Sequence, residues 1–177
     1  MSKPSRRIVL TGFMGAGKTS VAESLAYHFD CRMVDLDALI AGREGRSITA
    51  IIDRDGEARF REMETRALLD TLEFKDAHII ALGGGTWTLE HNRTLIGEHD
   101  CMTVWLDAPF DLCWQRITYE DNLRPLARAK SKTEQLYDLR QVDYALAELR
   151  IEITNEKTIE EVTAGIIESL PGVMGDE

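Results

Sequence analysis

Residues 8–19 carry the sequence IVLTGFMGAGKT, which contains the strongest indications of the fold in this chain. Its first part, residues 8–11, is apolar or β-branched throughout and predicts a short buried strand. The remainder, residues 12–19, matches the pattern Gly-x-x-x-x-Gly-Lys-[Ser/Thr] in full. Residues 18–29 then predict an amphipathic helix, because Val21, Leu25 and Phe29 share one helical face. A strand, a glycine-rich loop and a helix in this order predict the binding of a nucleoside triphosphate.

The chemistry of phosphate binding explains the residue types in this loop. Glycines let the backbone curl closely around phosphate oxygens with its N–H groups pointing inward, and the helix N-terminus adds a favourable dipole. Lys18 is expected to reach the β- and γ-phosphates, and Thr19 to bind Mg²⁺ through its hydroxyl. The expected nucleotide contacts are Gly12, Gly15, Ala16, Gly17, Lys18, Thr19 and Ser20. The loop alone does not say what happens to the phosphate.

Composition and charge narrow the class of protein. The chain has 177 residues and a formal net charge of −10, so we expect a single domain over residues 1–177 that does not bind nucleic acid. No apolar run approaches the ~18 residues of a membrane span, and no signal-peptide core is present. We therefore expect a cytoplasmic protein without a membrane partner, monomeric, with a disordered tail at 171–177.

The rest of the chain alternates strand and helix patterns. Further strands are predicted at residues 32–35, 78–82, 101–106 and 150–154, and helices at 38–42, 48–53, 56–73, 110–118, 134–149 and 159–170. This alternation predicts an α/β fold with a central, parallel, five-stranded sheet and helices on both faces. In such a sheet ligands bind beyond the carboxyl ends of the strands, where the distinctive motifs of this sequence lie.

Two aspartates, Asp35 and Asp37, close the second predicted strand. Alternation along a strand would point both side chains to the same side, next to the phosphate loop. One carboxylate could then hold Mg²⁺, and the other could accept a proton from an attacking hydroxyl. The alternative is an acidic strand end that is merely solvated.

Further motifs complete an ordered series along the chain. The series consists of the phosphate loop, Asp35-Leu36-Asp37, residues 56–64 (GEARFREME), Gly83-Gly84-Gly85 and Arg124-Pro125-Leu126. This series resembles the shikimate kinase family over residues 6–170. The resemblance implies a three-layer P-loop kinase fold and the ATP-dependent phosphorylation of the 3-hydroxyl of shikimate, a small-molecule substrate, with ATP and Mg²⁺ as cofactors.

On the nucleotide side, the resemblance assigns roles residue by residue. Lys18 and Thr19 resemble the phosphate-binding lysine and the Mg²⁺-binding hydroxyl, and Asp35 resembles the aspartate on the metal side. Arg116 resembles an arginine that flanks the adenine. Arg124 resembles the arginine of a lid, expected at about 119–133, which closes over the transferred phosphate.

On the acceptor side, the resemblance places an acceptor-binding segment at about 36–64. Asp37 resembles the residue that contacts the ring hydroxyls, and its role is either that of a general base or only that of a positioning group. Arg61 and Arg140 resemble the two arginines that hold the substrate carboxylate, which suits the bidentate hydrogen bonding of a guanidinium. Glu64 resembles the residue that orients Arg61. The glycines Gly83, Gly84 and Gly85 resemble one wall of the acceptor pocket.

Each of these residues has a simpler interpretation. Arg61 and Glu64, three positions apart on a predicted helix, could form only a surface ion pair. The residues 83–85 could form only a flexible turn. Arg124 could be an ordinary loop residue, and Arg140 a solvated charge on a helix.

The sequence also departs from the family pattern after the lid. The family usually shows Arg-x-Pro-Leu-Tyr, whereas residues 140–144 read RQVDY, and Ala127 stands where a second leucine is common. These departures leave two other functions open. One is a kinase for another small hydroxy acid such as gluconate, and the other is a nucleotide-binding module without catalysis.

Overall fold

A computed structural model describes residues 4–74, 76–119 and 130–170. Its strands are β1 (Ile8–Thr11), β2 (Arg32–Asp35), β3 (Ala77–Ala81), β4 (Met102–Asp107) and β5 (Leu149–Glu152). These strands form one sheet in the order β2-β3-β1-β4-β5, and every neighbouring pair is parallel. The predicted five-stranded parallel sheet is therefore confirmed.

Helices connect the successive strands as crossovers, and a last helix follows β5. They are α1 (Lys18–His28), α2 (Leu36–Glu44), α3 (Ile48–Asp55), α4 (Glu57–Glu73), α5 (Glu90–Glu98), α6 (Phe110–Tyr119), α7 (Lys130–Tyr144) and α8 (Ile159–Glu168), with a short 3₁₀ helix at Thr86–Thr88. Right-handed crossovers place α1 on one face of the sheet, where α8 packs against it. The connections from β2 to β3, from β3 to β4 and from β4 to β5 run in the opposite direction along the sheet. Right-handed crossovers therefore place α2–α7 on the opposite face.

Strand β1 lies at the centre of the sheet. It pairs with β3 on one side and with β4 on the other, and Ile8, Val9 and Leu10 are fully buried. A strand covered on both faces needs a continuous apolar run, which is what this segment provides. Because all strands are parallel, the loops that follow β1, β2 and β3 meet at one edge of the sheet. The candidate site lies at that edge.

The position of Asp37 differs from the sequence prediction. Asp35 ends β2 and caps α2, since its Oδ1 atom accepts a hydrogen bond from the Ala38 N–H at 3.0 Å. Helix α2 therefore begins at Leu36, and Asp37 lies in its first turn rather than on the strand. The extended geometry that alternation assumes for Asp37 is wrong, because the Asp35 side chain caps a helix N–H and so starts the helix at Leu36. Both aspartates nevertheless lie beside the phosphate loop, as predicted.

Two further elements differ from the prediction. Helix α5 was not predicted, because its cap residue Leu89 makes no side-chain hydrogen bond and few of its residues are apolar. Helix α7 ends at Tyr144, whereas the sequence predicts a helix to residue 149. Leu149 instead pairs with Val104 in the edge strand β5, so sheet pairing ends the helix early.

The described residues contain no helix long and apolar enough to cross a membrane. Arg124, most of the predicted lid at 119–133 and the predicted tail at 171–177 lie outside the described residues.

Candidate active site

The phosphate loop begins at the carboxyl end of β1 and runs into α1. Its glycines Gly12, Gly15 and Gly17 have φ angles of 140°, 78° and 97°, which L side chains rarely adopt. A Cβ atom on Gly12 would also lie 2.6 Å from the Leu106 carbonyl oxygen, and one on Gly15 would lie 2.7 Å from the Cys113 carbonyl oxygen. Conformation therefore demands glycine at all three positions, and the available space demands it as well at Gly12 and Gly15.

Lys18 is buried within this loop. Its ammonium donates hydrogen bonds to the carbonyl oxygens of Gly12 and Phe13, at 2.8 and 2.9 Å. The loop borders a cleft of about 370 Å³. The predicted nucleotide contacts that line this cleft are Gly15, Ala16, Gly17, Lys18, Thr19, Ser20 and Arg116. Gly12 holds Lys18 through its carbonyl group but does not line the cleft.

Thr19 and Asp35 meet at the same end of the cleft. The Thr19 hydroxyl donates to Asp35 Oδ2 at 2.5 Å, and both residues line the cleft. A hydroxyl and a carboxylate oxygen beside a phosphate loop are the hard oxygen ligands that Mg²⁺ prefers. The donor set therefore fits a magnesium ion.

Arg116 reaches the cleft from α6, and its Nη1 atom donates to the Gly15 carbonyl oxygen at 3.1 Å. On the other side, Ile153, Lys157 and Thr158 line the cleft, although the sequence did not single them out. The capping box formed by Thr158 predicts only the start of a helix. Its position beside the phosphate loop follows from the packing of α8 on α1, which the sequence pattern does not reveal.

A second pocket adjoins the phosphate loop and is assembled from separate segments. It is lined by Met14, Asp37, Ile48, Ile52, Phe60, Arg61, Glu64, Gly84, Gly85 and Arg140. The structure thus brings together the residues that the sequence analysis assigned to acceptor binding, except that Gly83 does not line the pocket and instead lies against Glu64 and Asp37. Asp37 lines both this pocket and the nucleotide cleft, so it lies between them. We call this second cavity the acceptor pocket.

Arg61 and Glu64 form a buried pair on α4. The Glu64 carboxylate is 1% exposed, and its Oε2 atom accepts a hydrogen bond from Arg61 Nη1. Arg61 also donates through Nη2 to Glu57 Oε1 at 3.0 Å. Burial raises the pKa of Glu64, although the positive charge of Arg61 opposes that shift. The interpretation as a surface ion pair is therefore wrong.

The glycine triplet forms a close-packed wall of the pocket. A Cβ atom on Gly83 would lie 2.5 Å from Glu64 Oε1 and 2.7 Å from Asp37 Oδ1. A Cβ atom on Gly85 would collide with the Arg61 guanidinium, and one on Gly84 would lie 3.3 Å from the backbone nitrogen of the phosphate loop at Met14. The triplet therefore serves close approach rather than mere flexibility.

Arg140 projects from α7 and is only 7% exposed, so the interpretation as a solvated helix charge is wrong. Its guanidinium carbon lies 5.9 Å from the centroid of the Phe13 ring. Within the described residues, no carboxylate lies within ion-pair distance of Arg140. One turn later, the buried Tyr144 hydroxyl donates to the Gly84 carbonyl oxygen at 2.5 Å and ties α7 to the glycine wall. A buried cation without a carboxylate partner suits an anionic ligand.

The apolar side of the acceptor pocket was missed by sequence reasoning. Ile48 and Ile52 line it from α3, and Phe60 lines it from α4. The spacing of the two isoleucines indicates one face of a helix, but it does not say what that face covers. Thr86 was also missed, although it directly follows the glycine triplet and donates a hydrogen bond to Glu64.

Comparisons with known sequences agree with this geometry. The profile of the family described as shikimate kinase matches residues 14–171. A shikimate kinase of Geobacter sulfurreducens is 42% identical over 171 residues, which cover 94% of this chain and 92% of the relative. A shikimate kinase of Ruegeria pomeroyi is 36% identical over 168 residues, which cover 93% of this chain and 85% of that relative.

Comparisons with solved structures point the same way. The shikimate kinase from Acinetobacter baumannii in complex with shikimate superimposes with a TM-score of 0.84 at 31% identity, covering 93% of this chain and 92% of that chain. The APS kinase of Mycobacterium tuberculosis, solved with AMPPNP and APS, has a TM-score of 0.57 at 19% identity and shares the fold alone. From the family profile, the identity over nearly the whole chain and the match in fold, this chain belongs to the shikimate kinase family.

Proposed function

We propose that this chain transfers the γ-phosphoryl group of ATP to the 3-hydroxyl of shikimate, giving shikimate 3-phosphate and ADP. The observation that carries the proposal is the acceptor pocket, where the buried Arg140, the partly buried Arg61 and the carboxylate of Asp37 converge beside the phosphate loop. Shikimate carries one carboxylate and several hydroxyls on a small ring. Arg61 and Arg140 suit the carboxylate, and Asp37 suits a hydroxyl.

Recognition of the substrate carboxylate would rest on the two arginines. A guanidinium offers a planar pair of N–H donors that matches a carboxylate, and buried ion pairs of this type are strongly directional. Glu64 and Glu57 hold Arg61 on one side and leave its position fixed against Gly85. The apolar residues Ile48 and Ile52 would face the ring carbons on the opposite wall.

The nucleotide side would supply charge stabilisation. ATP would lie in the cleft with its phosphates over the backbone N–H groups of residues 12–19 and near Lys18. Thr19 and Asp35 would hold Mg²⁺, which supplies neutralising charge at the β- and γ-phosphate oxygens. Arg116 would border the base-side part of the same cleft, which Ile153 and Thr158 also line.

The transfer step would follow from positioning. The acceptor oxygen attacks the γ-phosphorus, a new P–O bond forms, and the bond to the β,γ-bridging oxygen breaks as ADP leaves. Asp37 lies between the two cavities, where it would orient the hydroxyl and receive its proton. No covalent enzyme intermediate is needed, because proximity and electrostatic stabilisation supply the rate.

The lid role of Arg124 is a proposal from the sequence resemblance alone, since this residue lies outside the described residues. A lid arginine would neutralise charge that develops on the transferred group, and closure of the segment would exclude water. The predicted single domain and the predicted monomer likewise stay predictions.

The test is ADP release from MgATP with and without shikimate, with gluconate as a parallel acceptor. We expect strong stimulation by shikimate and none by gluconate. Stimulation by gluconate instead would assign the arginine pair to another hydroxy acid. Bound ATP without ADP release in the presence of either acceptor would show a nucleotide-binding module and overturn the proposal.

A further inference from the structure

Thr86 is a fully buried residue that directly follows the glycine wall of the acceptor pocket. Its hydroxyl donates a hydrogen bond to Glu64 Oε1 at 2.7 Å. The other oxygen of that carboxylate, Oε2, accepts from Arg61. The two oxygens of Glu64 are therefore held by different donors, one from α4 and one from the 3₁₀ helix after β3.

Thr86 is itself held in place by its surroundings. Its backbone N–H donates to the Gly83 carbonyl oxygen at 3.1 Å, and its own carbonyl oxygen accepts from Asn92 Nδ2 at 2.9 Å. Asn92 is fully buried on α5, and its Oδ1 atom accepts from the Thr65 hydroxyl at 2.9 Å. Because these bonds fix the backbone of Thr86, its hydroxyl is held in position to donate to Glu64.

The charges around Glu64 show why the hydrogen bond from Thr86 affects the ionisation of this carboxylate. Arg61 faces it on α4, with Glu57 on the far side of that guanidinium, and Asp37 faces it from α2. Burial and the negative charge of Asp37 raise the pKa of Glu64, whereas Arg61 and the Thr86 hydroxyl lower it. Arg140 from α7 lines the same pocket. A protonated Glu64 would lose its ion pair with Arg61.

We propose that Thr86 is a positioning residue for acceptor binding. Its hydroxyl fixes the Glu64 carboxylate and helps to keep it ionised. Glu64 in turn orients Arg61 toward the carboxylate of the acceptor. Thr86 does not line the acceptor pocket, so it acts through Glu64 and not on the substrate. This inference rests on the proposed function for the identity of the acceptor.

The first test compares Thr86→Val, which keeps the shape but removes the hydroxyl, with Thr86→Ser, which keeps the hydroxyl. We expect Thr86→Val to raise the KM for shikimate about tenfold, since a hydrogen bond to a charged group is lost, while kcat changes less than about twofold. The KM for ATP stays unchanged, and Thr86→Ser restores the KM for shikimate.

The pH dependence sharpens the test. Without the hydroxyl the pKa of Glu64 rises further, so a larger fraction of Glu64 is protonated as the pH falls. The KM defect of Thr86→Val should therefore grow toward acid pH and shrink toward alkaline pH. A defect that is equal at every pH would contradict the electrostatic part of the proposal.

The matched control is Thr71→Val. Like Thr86, Thr71 is buried. It lies on α4, however, and its hydroxyl donates to the Ala67 carbonyl oxygen of the same helix. We expect no change in the KM for shikimate in this variant. If the KM for shikimate rose equally in Thr71→Val and Thr86→Val, the effect would come from a general loss of packing, which would overturn the role of Thr86.

A readout without turnover separates this inference from the proposed function. Carbon-13 NMR of the Glu64 carboxyl group, titrated in the wild type, Thr86→Val and Thr86→Ser, should show a raised pKa in the valine variant only. Thr86→Ala is the second hydroxyl-free variant if valine disturbs folding. If the wild type does not phosphorylate shikimate, the proposed function fails, while an unshifted Glu64 titration overturns the role of Thr86.

Discussion

The nucleotide cleft and the acceptor pocket lie side by side but are built in different ways. The phosphate end of the cleft comes mainly from one continuous stretch, residues 15–21, and the conformation of the loop depends on glycines with positive φ angles. The acceptor pocket draws side chains from the phosphate loop, α2, α3, α4, the glycine wall and α7. Local backbone geometry therefore builds the first site, and long-range packing builds the second.

The two sites also hold their cations differently. Lys18 is held by backbone carbonyl oxygens, which carry no full charge. Arg61 is held by the buried carboxylate of Glu64, whereas Arg140 has no carboxylate partner within the described residues. A substitution of Arg61 can therefore disturb stability and binding together, while a substitution of Lys18 should act mainly on catalysis.

The largest expected effect comes from Lys18→Ala. Loss of this ammonium should lower kcat with any acceptor by on the order of a thousandfold, because it removes charge stabilisation at the transferred phosphate. Steady-state ADP release measures this effect. Arg32→Ala, which removes an exposed cation at the amino end of β2, is the control and should retain activity. A Lys18→Ala enzyme with near-normal turnover would contradict the assignment of the cleft.

The next largest effect is expected from substitutions of the two arginines of the acceptor pocket, which differ in their ion pairing. Arg61→Met and Arg140→Met should each raise the KM for shikimate by about a hundredfold, because each removes a carboxylate-binding guanidinium. Only Arg61→Met should also destabilise the fold, by about 3 kcal/mol, since it leaves Glu64 buried without its ion pair. Denaturant titration separates the two variants. Equal loss of stability in both would contradict the different partnering of the two arginines.

A smaller effect is expected from Gly83→Ala, because its added methyl group would press on the carboxylates of Glu64 and Asp37. We expect a rise in the KM for shikimate of about tenfold, with the KM for ATP unchanged. Gly165→Ala on α8 is the matched control, since a Cβ atom there meets nothing within 4 Å. That control should gain up to about 1 kcal/mol of stability and keep its kinetics.

The smallest effect concerns a wall of the nucleotide cleft. Thr158→Ala removes the capping box of α8, in which the Thr158 hydroxyl accepts from the Glu161 N–H at 3.2 Å. We expect a loss of about 1 kcal/mol and a melting temperature lower by about 2–4 °C. Thr94→Ala, an exposed threonine within α5, is the control and should not lower the melting temperature. An unchanged melting temperature for Thr158→Ala would show that the cap contributes nothing.

Several residues show how far sequence reasoning could reach. The phosphate loop and the position of Asp35 beside it follow from short motifs at the ends of β1 and β2, and in the structure Asp35 accepts a hydrogen bond from Thr19. Asp37 was placed on the wrong element, because side-chain capping by Asp35 competes with strand continuation and pattern alone does not weigh the two. Thr86 carries no motif, since its importance comes from contact with a residue 22 positions away.

The succession of strands along the chain, the glycine-rich loop and the candidate charged residues could be predicted from the sequence, because they follow from short-range periodicity and from steric limits on single residues. The order of the strands in the sheet was not predicted. Burial and mutual orientation were not readable in this way. Whether Arg61 pairs with Glu64 in the interior, and whether Arg140 faces the glycine wall, depends on the packing of α4 and α7 against the loop after β3. Such contacts join segments far apart in sequence, and their energies are set by desolvation, which no local pattern records.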